Sequence, residues 1–324
     1  MKTINIMLTL LLCLFTVSFV SAQTETVEPV MTLDNDTSVS RIVWNETSDV
    51  LTLVSRDKVV HAALSEAADT ESYTLGEKAY SFTTVAETGL VAALSKDRTE
   101  IYLYEPGKGE KALLTIDPGF PMLSVFLSKD GSQVLADSGD QIRSVVYSTA
   151  DGTVVHDLSG FQTAAPVYDS MLSPDGTLLV WHSRGTFAVQ NIETAAFGKT
   201  ISLWDFASAY EISPDNKVLA VGMVNNDYES GAVLFFDPES GEESGRAILG
   251  KTPPFDLSYS DDGSGLWAAD AKTVYKLDPE TFELLSQTTI CDKEDDRIIR
   301  ISSSPDGSSA AVLTNSGELY VVKM

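Results

Sequence analysis

Apolar positions in this chain fall in short runs rich in branched and aromatic residues, broken by polar turns. Val39-Ser40-Arg41-Ile42-Val43-Trp44, Met122-Leu123-Ser124-Val125-Phe126-Leu127 and Ser170-Met171-Leu172 each precede a turn. Val50-Leu51-Thr52-Leu53-Val54, Leu178-Leu179-Val180-Trp181 and Val218-Leu219-Ala220-Val221 each follow one. Runs this short, without a helical period, predict β-strands, and those apolar at nearly every position predict strands covered on both faces. A third run comes after a polar loop, as in Ile101-Tyr102-Leu103-Tyr104, Val145-Val146-Tyr147, Val233-Leu234-Phe235-Phe236, Val274-Tyr275-Lys276-Leu277 and Leu319-Tyr320-Val321-Val322. Turns such as Asp237-Pro238-Glu239-Ser240-Gly241 and Asp278-Pro279-Glu280-Thr281 lead on to a fourth.

The turns between first and second strands repeat. Ser-x-Asp-Gly or a close relative occurs at Ser128, Ser173, Ser213, Ser260 and Ser304, with weaker copies at Asn45 and Ala86, in steps of 41, 42, 45, 40, 47 and 44 residues. Proline and aspartate suit the centre of a type I turn, and the fourth residue needs positive φ, which glycine adopts freely and asparagine (Asn216) tolerates. Such a turn closes a tight antiparallel hairpin. Seven units of four antiparallel strands at this period predict an all-β, seven-bladed β-propeller. The chain stops after the third strand of the last unit, and its start has one strand to spare. Thr26 to Thr32 is therefore predicted to close the last blade as its outermost strand, where Pro29 is tolerated.

Residues 1–22 stand outside this pattern. Met1-Lys2 is a basic start, Ile6 to Val20 is almost unbroken apolar sequence, and Val20-Ser21-Ala22 offers a cleavage site before Gln23. Fifteen residues is short of the ~20 of a spanning helix, so this is read as a cleaved signal peptide, leaving 23–324 as a single propeller domain. The protein is then secreted, periplasmic or on the cell surface, with no membrane span. Cys13 leaves with the signal, so Cys291 has no disulfide partner and is expected to be a buried small residue.

With 47 acidic against 22 basic residues the net charge is -25, which argues against nucleic acid and anionic lipid as partners. His61, His156 and His182 fall in three different blades without metal spacing. Asp34 to Ser38 begins like a calcium loop, but Val39 stands where glycine belongs and Asn45 where the bidentate glutamate belongs. It is read as a solvated acidic loop, as is Asp292 to Asp296. Ser260-x-Asp262-x-Ser264-x-x-Trp267 has the outline of an Asp-box, but it occurs once, merges with the repeat turn and has Ser264 where glycine belongs, so it is read as coincidence. Asn35 and Asn45 are glycosylation acceptors only in a eukaryotic host. No catalytic residue, metal or cofactor is expected.

The Ser-Pro-Asp-Gly copies and the Asp237 and Asp278 turns resemble the degenerate repeats of exported bacterial WD-repeat-like propellers, over essentially the whole mature chain. The departures are specific. Third strands end in Phe236-Asp237, Leu277-Asp278 and Asn191-Ile192, the one Trp-Asp pair is Trp204-Asp205 at the end of a fourth strand, and the Gly-His pair is absent. The resemblance implies the fold and a mostly non-catalytic binding role, without the Asp, His, Ser and Trp tetrad.

The loops joining fourth to first and second to third strands share one face. They and their edges hold Phe120, Phe161, Trp204, Phe206, Tyr210 and Phe255, with Arg56, Arg98 and Arg184, and the longest insertion, Gly222 to Gly231. Aromatic and arginine side chains favour binding hot spots; taken singly, each aromatic is better read as a plug in the wedge between blades, and it is the group together that points to a binding face. The expected function is a monomeric, non-enzymatic platform binding another protein, a surface polymer or an anionic ligand. The alternative is a propeller enzyme, a lactonase-like hydrolase or quinoprotein-type dehydrogenase, with its site at the channel mouth.

Overall fold

A computed structural model of the chain describes residues 27–33, 39, 41–55, 58–64, 71–76, 79–85, 88–105, 111–138, 143–158, 169–183, 185–203, 206–225, 230–291 and 294–324. Within them lie seven four-stranded antiparallel sheets and no helix. Blades 1 to 6 span 41–74, 79–116, 124–157, 169–202, 207–248 and 256–289. Blade 7 is 298–323 completed by Met31–Thr32. The protein is a seven-bladed β-propeller.

The first strands (Arg41–Trp44, Ala79–Thr84, Ser124–Leu127, Asp169–Leu172, Ala207–Ile212, Asp256–Tyr259 and Ile298–Ser303) circle the axis, that of blade 1 lying beside that of blade 7. Middle strands such as Val91–Ser95, Ser230–Phe236 and Ser309–Thr314 are buried at every residue, while the fourth strand Leu284–Thr289 alternates between half-buried and exposed. That gradient is the reason for the continuous apolar runs in the sequence.

Turn chemistry repeats at atomic detail. In all five strong copies the serine hydroxyl donates to the aspartate at 2.6–2.8 Å. The same serine oxygen accepts the N–H five residues on at 2.9–3.0 Å, and the aspartate accepts the N–H two residues on at 2.9–3.2 Å. The fourth position has positive φ in all seven units, at Ser48, Gly89, Gly131, Gly176, Asn216, Gly263 and Gly307. The Ser304 hydroxyl, aided by the N–H and hydroxyl of Ser308, holds the Asp306 carboxyl down at about 2. Ser95-Lys96-Asp97-Arg98, between second and third strands of blade 2, builds the same turn with Arg98 at φ 65°. Adjacent turns are also tied, Lys129 N donating to Pro174 O at 2.9 Å and Asp262 N to Pro305 O at 3.2 Å.

Each blade-to-blade interface has its own apolar cluster. Trp181 and Leu135 pack between blades 3 and 4, Phe187 and Val221 between 4 and 5, Phe235 and Tyr275 between 5 and 6, and Trp267 and Val312 between 6 and 7. A fully buried side chain of this size contributes about 1.5–3 kcal/mol by leaving water. The closing interface, blade 7 to blade 1, is filled by Trp44, Leu51, Leu53, Ala311 and Leu319, and Trp44 Nε1 donates to Ser302 O at 2.8 Å.

The predicted closing strand is present but shorter than expected. Met31 pairs with Leu319 and Thr32 with Glu318, and flanking bonds run from Val30 N to Leu319 O and from Leu33 N to Gly317 O, both 2.8 Å. Pro29, without an N–H, lies just before this ladder. Gly317 has φ 83°, and a Cβ there would sit 2.9 Å from Leu33 O. Gly317→Ala should therefore strain the backbone and press on the clasp at once, lowering stability by about 1–3 kcal/mol in urea unfolding. An unchanged midpoint would mean that the clasp carries no load.

Candidate functional site

The first strands enclose a central cavity of about 680 Å³, and a second of about 340 Å³ opens toward the Ser-x-Asp-Gly turns. Arg41, Phe126, Met171 and Glu211, among others, line both, so they form the waist of the shaft. The lumen mixes polarity all round: Val43, Phe126 and Met171 give apolar surface beside Arg41, and Tyr210, Phe255 and Ile301 do so beside Glu211, Asp256 and Arg300.

The carboxyls also tie blades together. Glu211 Oε2 accepts the N–H of Tyr259, and Asp256 Oδ2 accepts that of Ile301, both at 2.9 Å. Ser258 Oγ likewise accepts the N–H of Ser303 at 2.9 Å. Each bond links one inner strand to the next. Desolvation in the shaft pushes Glu211 up to about 8, against the lowering effect of the Tyr259 N–H, and it raises Asp256 as well. Arg41 lowers both and Arg300 lowers Asp256, too weakly to reverse either shift. The Arg41 guanidinium lies 5.9 Å from the centroid of the Phe126 ring and makes no hydrogen bond or ion pair among the described residues. Arg300 Nη1 donates to Ile299 O at 2.8 Å.

Tyr210 and Phe255, both expected on the loop face, are half-buried and line the larger cavity. Tyr210 belongs to a ring stack there: its centroid is 5.3 Å from that of His182, which lies 4.6 Å from Phe187. Burial lowers the His182 pKa, so this imidazole is neutral at pH 7. Phe206 is 68% exposed beside the inner strand of blade 5. Arg98 lies over the exposed ring of Tyr80 at 5.4 Å, and its carbonyl accepts the N–H of Met122 at 2.7 Å.

Phe120 departs from the expectation. It is buried between blades 2 and 3 beneath the Arg143 guanidinium, 4.8 Å from its ring centroid, so it plugs the wedge and offers no binding surface. Arg56, Arg184 and Trp204 lie outside the described residues, as do Cys13, the signal segment, Phe161 and the acidic loop 34–38. The insertion from Gly222 continues both of its strands, Leu219–Asn225 and Ser230–Phe236, with 226–229 outside the described residues.

The shaft residues Arg41, Phe126, Glu211, Asp256 and Arg300 escaped the sequence reading. For the four charged ones the signal was a charge inside a first strand, as in Val39 to Trp44, where an arginine interrupts a core run, and Phe126 gave none. Among the described residues no group of three or more His, Cys, Asp or Glu could hold a metal ion, and no helix is long and apolar enough to cross a membrane. No family model matches the chain, and no curated protein matches it.

Folded Glu211 keeps its proton to about pH 8, while in the unfolded chain its carboxyl ionises near 4.5. Unfolding in between releases a proton, so stability falls as pH rises through that window. Glu211→Gln keeps an acceptor for the Tyr259 N–H and removes this slope, so the variant should gain on the wild type progressively from pH 5 to 8 in urea titrations. A constant difference between the two would mean that the carboxyl is ionised in the fold.

Cys291 is buried, and burial, with Asp296 next in effect, pushes its thiol up to about 12. The thiolate is the reactive form. A chromogenic disulfide reagent at pH 8 should label Cys291 only at the rate of unfolding, with labelling accelerated by urea. Rapid labelling of the native protein would contradict this burial.

Proposed function

We propose that the chain is an exported, non-enzymatic propeller that binds a partner protein or surface polymer on the face carrying the loops from fourth to first strands. The observation behind this reading is the rim on that face, where the exposed Phe206, the Tyr80–Arg98 pair and the mouth residues Tyr210 and Phe255 adjoin an open shaft. Large rigid rings and arginine favour such hot spots because they bury much area at modest entropy cost. The likeness of the repeats to degenerate WD-repeat propellers supports the same role, and residues 1–22 support export.

Glu211 and Asp256 favour a second reading, a hydrolase that uses a protonated carboxyl in the shaft as general acid. The first reading is preferred because each carboxyl already holds a neighbouring strand by its N–H. The test immobilises the purified protein against the envelope fraction of its host. A partner retained by the wild type should be lost at least tenfold with Phe206→Ser combined with Arg98→Ala, at unchanged circular dichroism. Capture indifferent to these changes would refute the rim. Turnover of a lactone panel abolished by Glu211→Gln would favour the hydrolase.

A further inference from the structure

The shaft contains an arginine that no carboxylate contacts directly among the described residues. Arg41 begins the inner strand of blade 1 and is exposed to the lumen at the waist between the two cavities. Its guanidinium has neither a hydrogen bond nor an ion pair among the described residues, and its only ring contact is Phe126, from blade 3 across the lumen. Ion pairs among the described residues include Lys129 with Asp261 at 3.1 Å, Arg143 with Asp157 at 3.3 Å, Lys217 with Asp215 at 2.8 Å and Arg246 with Glu243 at 2.7 Å, and none of these involves Arg41. Glu211 and Asp256 feel its charge, but no described carboxylate lies within ion-pair distance of this guanidinium.

The nearest candidates have other partners. Glu211 and Asp256 accept backbone N–H groups of the next blade, and Asp261 holds Lys129. Burial favours the neutral form of Glu211, so it adds little negative charge beside Arg41 at pH 7. The surface charge of -25 repels anions at range, so an anion bound here is held by local contacts. A planar guanidinium presents paired donors that match the two oxygens of a carboxylate.

We propose that the shaft binds a small organic carboxylate, its oxygens on Arg41 and its apolar body against Val43, Phe126 and Met171. This deepens the platform reading and rests on its non-enzymatic premise. A cavity of about 680 Å³ falls in the size range of small-molecule sites. A free carboxylate fits this volume better than a macromolecular segment, which would have to thread between seven inner strands. Arg41 sets the orientation, because the apolar side chains of Val43, Phe126 and Met171 line the waist with it.

The test titrates the purified protein with benzoate and hexanoate, and with benzamide and hexanamide as neutral matches of the same shape, by calorimetry and saturation-transfer NMR. The carboxylates should bind at least tenfold more tightly than their amides. Arg41→Gln should erase that preference while leaving amide binding unchanged. Met171→Trp, which fills the waist, should abolish binding of all four, and it serves as the deciding variant if Arg41→Gln does not fold. Equal affinity for acids and amides, a preference that survives Arg41→Gln, or binding that survives Met171→Trp would each overturn the proposal. So would binding of a peptide C-terminus in the absence of any binding of the free acids. Phe206→Ser with Arg98→Ala should leave carboxylate binding intact, which separates the two readings. Partner capture without carboxylate binding sinks only the shaft site, and carboxylate binding without rim-dependent capture sinks only the rim.

Discussion

Ring closure is the constraint on which the structure depends. A blade is a small sheet with apolar side chains on both faces, and neither face is covered until a neighbour lies on each side. Six of the interfaces form between blades consecutive in the chain. The seventh joins the last blade to the first through Trp44, Leu53, Ala311 and Leu319, and the chain start completes it by pairing Met31 and Thr32 with the strand ending at Lys323. This arrangement makes the short ladder at Met31 matter out of proportion to its length, because it covers the outer edge of the blade that shuts the circle.

Closure also creates the shaft. Once the inner strands stand around an axis, alternate side chains must point away from the blade cores into a space too narrow for further packing and too wide to vanish. Those positions tolerate polarity that the interfaces cannot. Glu211, Asp256 and Ser258 use it to stitch each inner strand to the next through a backbone N–H. The same residue type meets opposite fates at the two kinds of site. Asp306, in an exposed turn, is surrounded by donors and held down at about 2, whereas Glu211, taken out of bulk water with a single backbone donor, is pushed up to about 8. Burial outweighs one hydrogen bond, and several hydrogen bonds at the surface outweigh a small burial.

The difference between what the sequence made legible and what it hid follows from the range of the interactions. The repeat turns are local: a serine, an aspartate and a residue of positive φ within four positions, so Ser128, Ser173, Ser213, Ser260 and Ser304 announce blade count and register together. The clasp needed only counting, although its ladder proved two residues long because Pro29 cannot donate and Gly317 ends the partner strand. The shaft could not be read this way. Which side of an inner strand faces the axis depends on how seven sheets close, and Arg41 in a run of apolar residues looks like an irregularity until that closure is known. Phe120 carries the converse lesson. An aromatic beside a proline in a loop suits a binding rim or an interface plug, and only the packing of blade 2 against blade 3 decides between them.

The geometry of the waist gives a ligand there a reach that no pair of blades has. The apolar clusters connect neighbours only, blade 1 to 2, 2 to 3 and so around the ring. Arg41, Phe126, Met171 and Glu211 come from blades 1, 3, 4 and 5, and they meet across the axis without packing into one core. A molecule seated among them would connect blades that otherwise communicate only around the circumference. In a quasi-one-dimensional array, where stability is a sum of nearest-neighbour terms, such a cross-link acts on several terms at once. Arg41, which makes no hydrogen bond or ion pair among the described residues, is the group at the waist placed to hold such a hub.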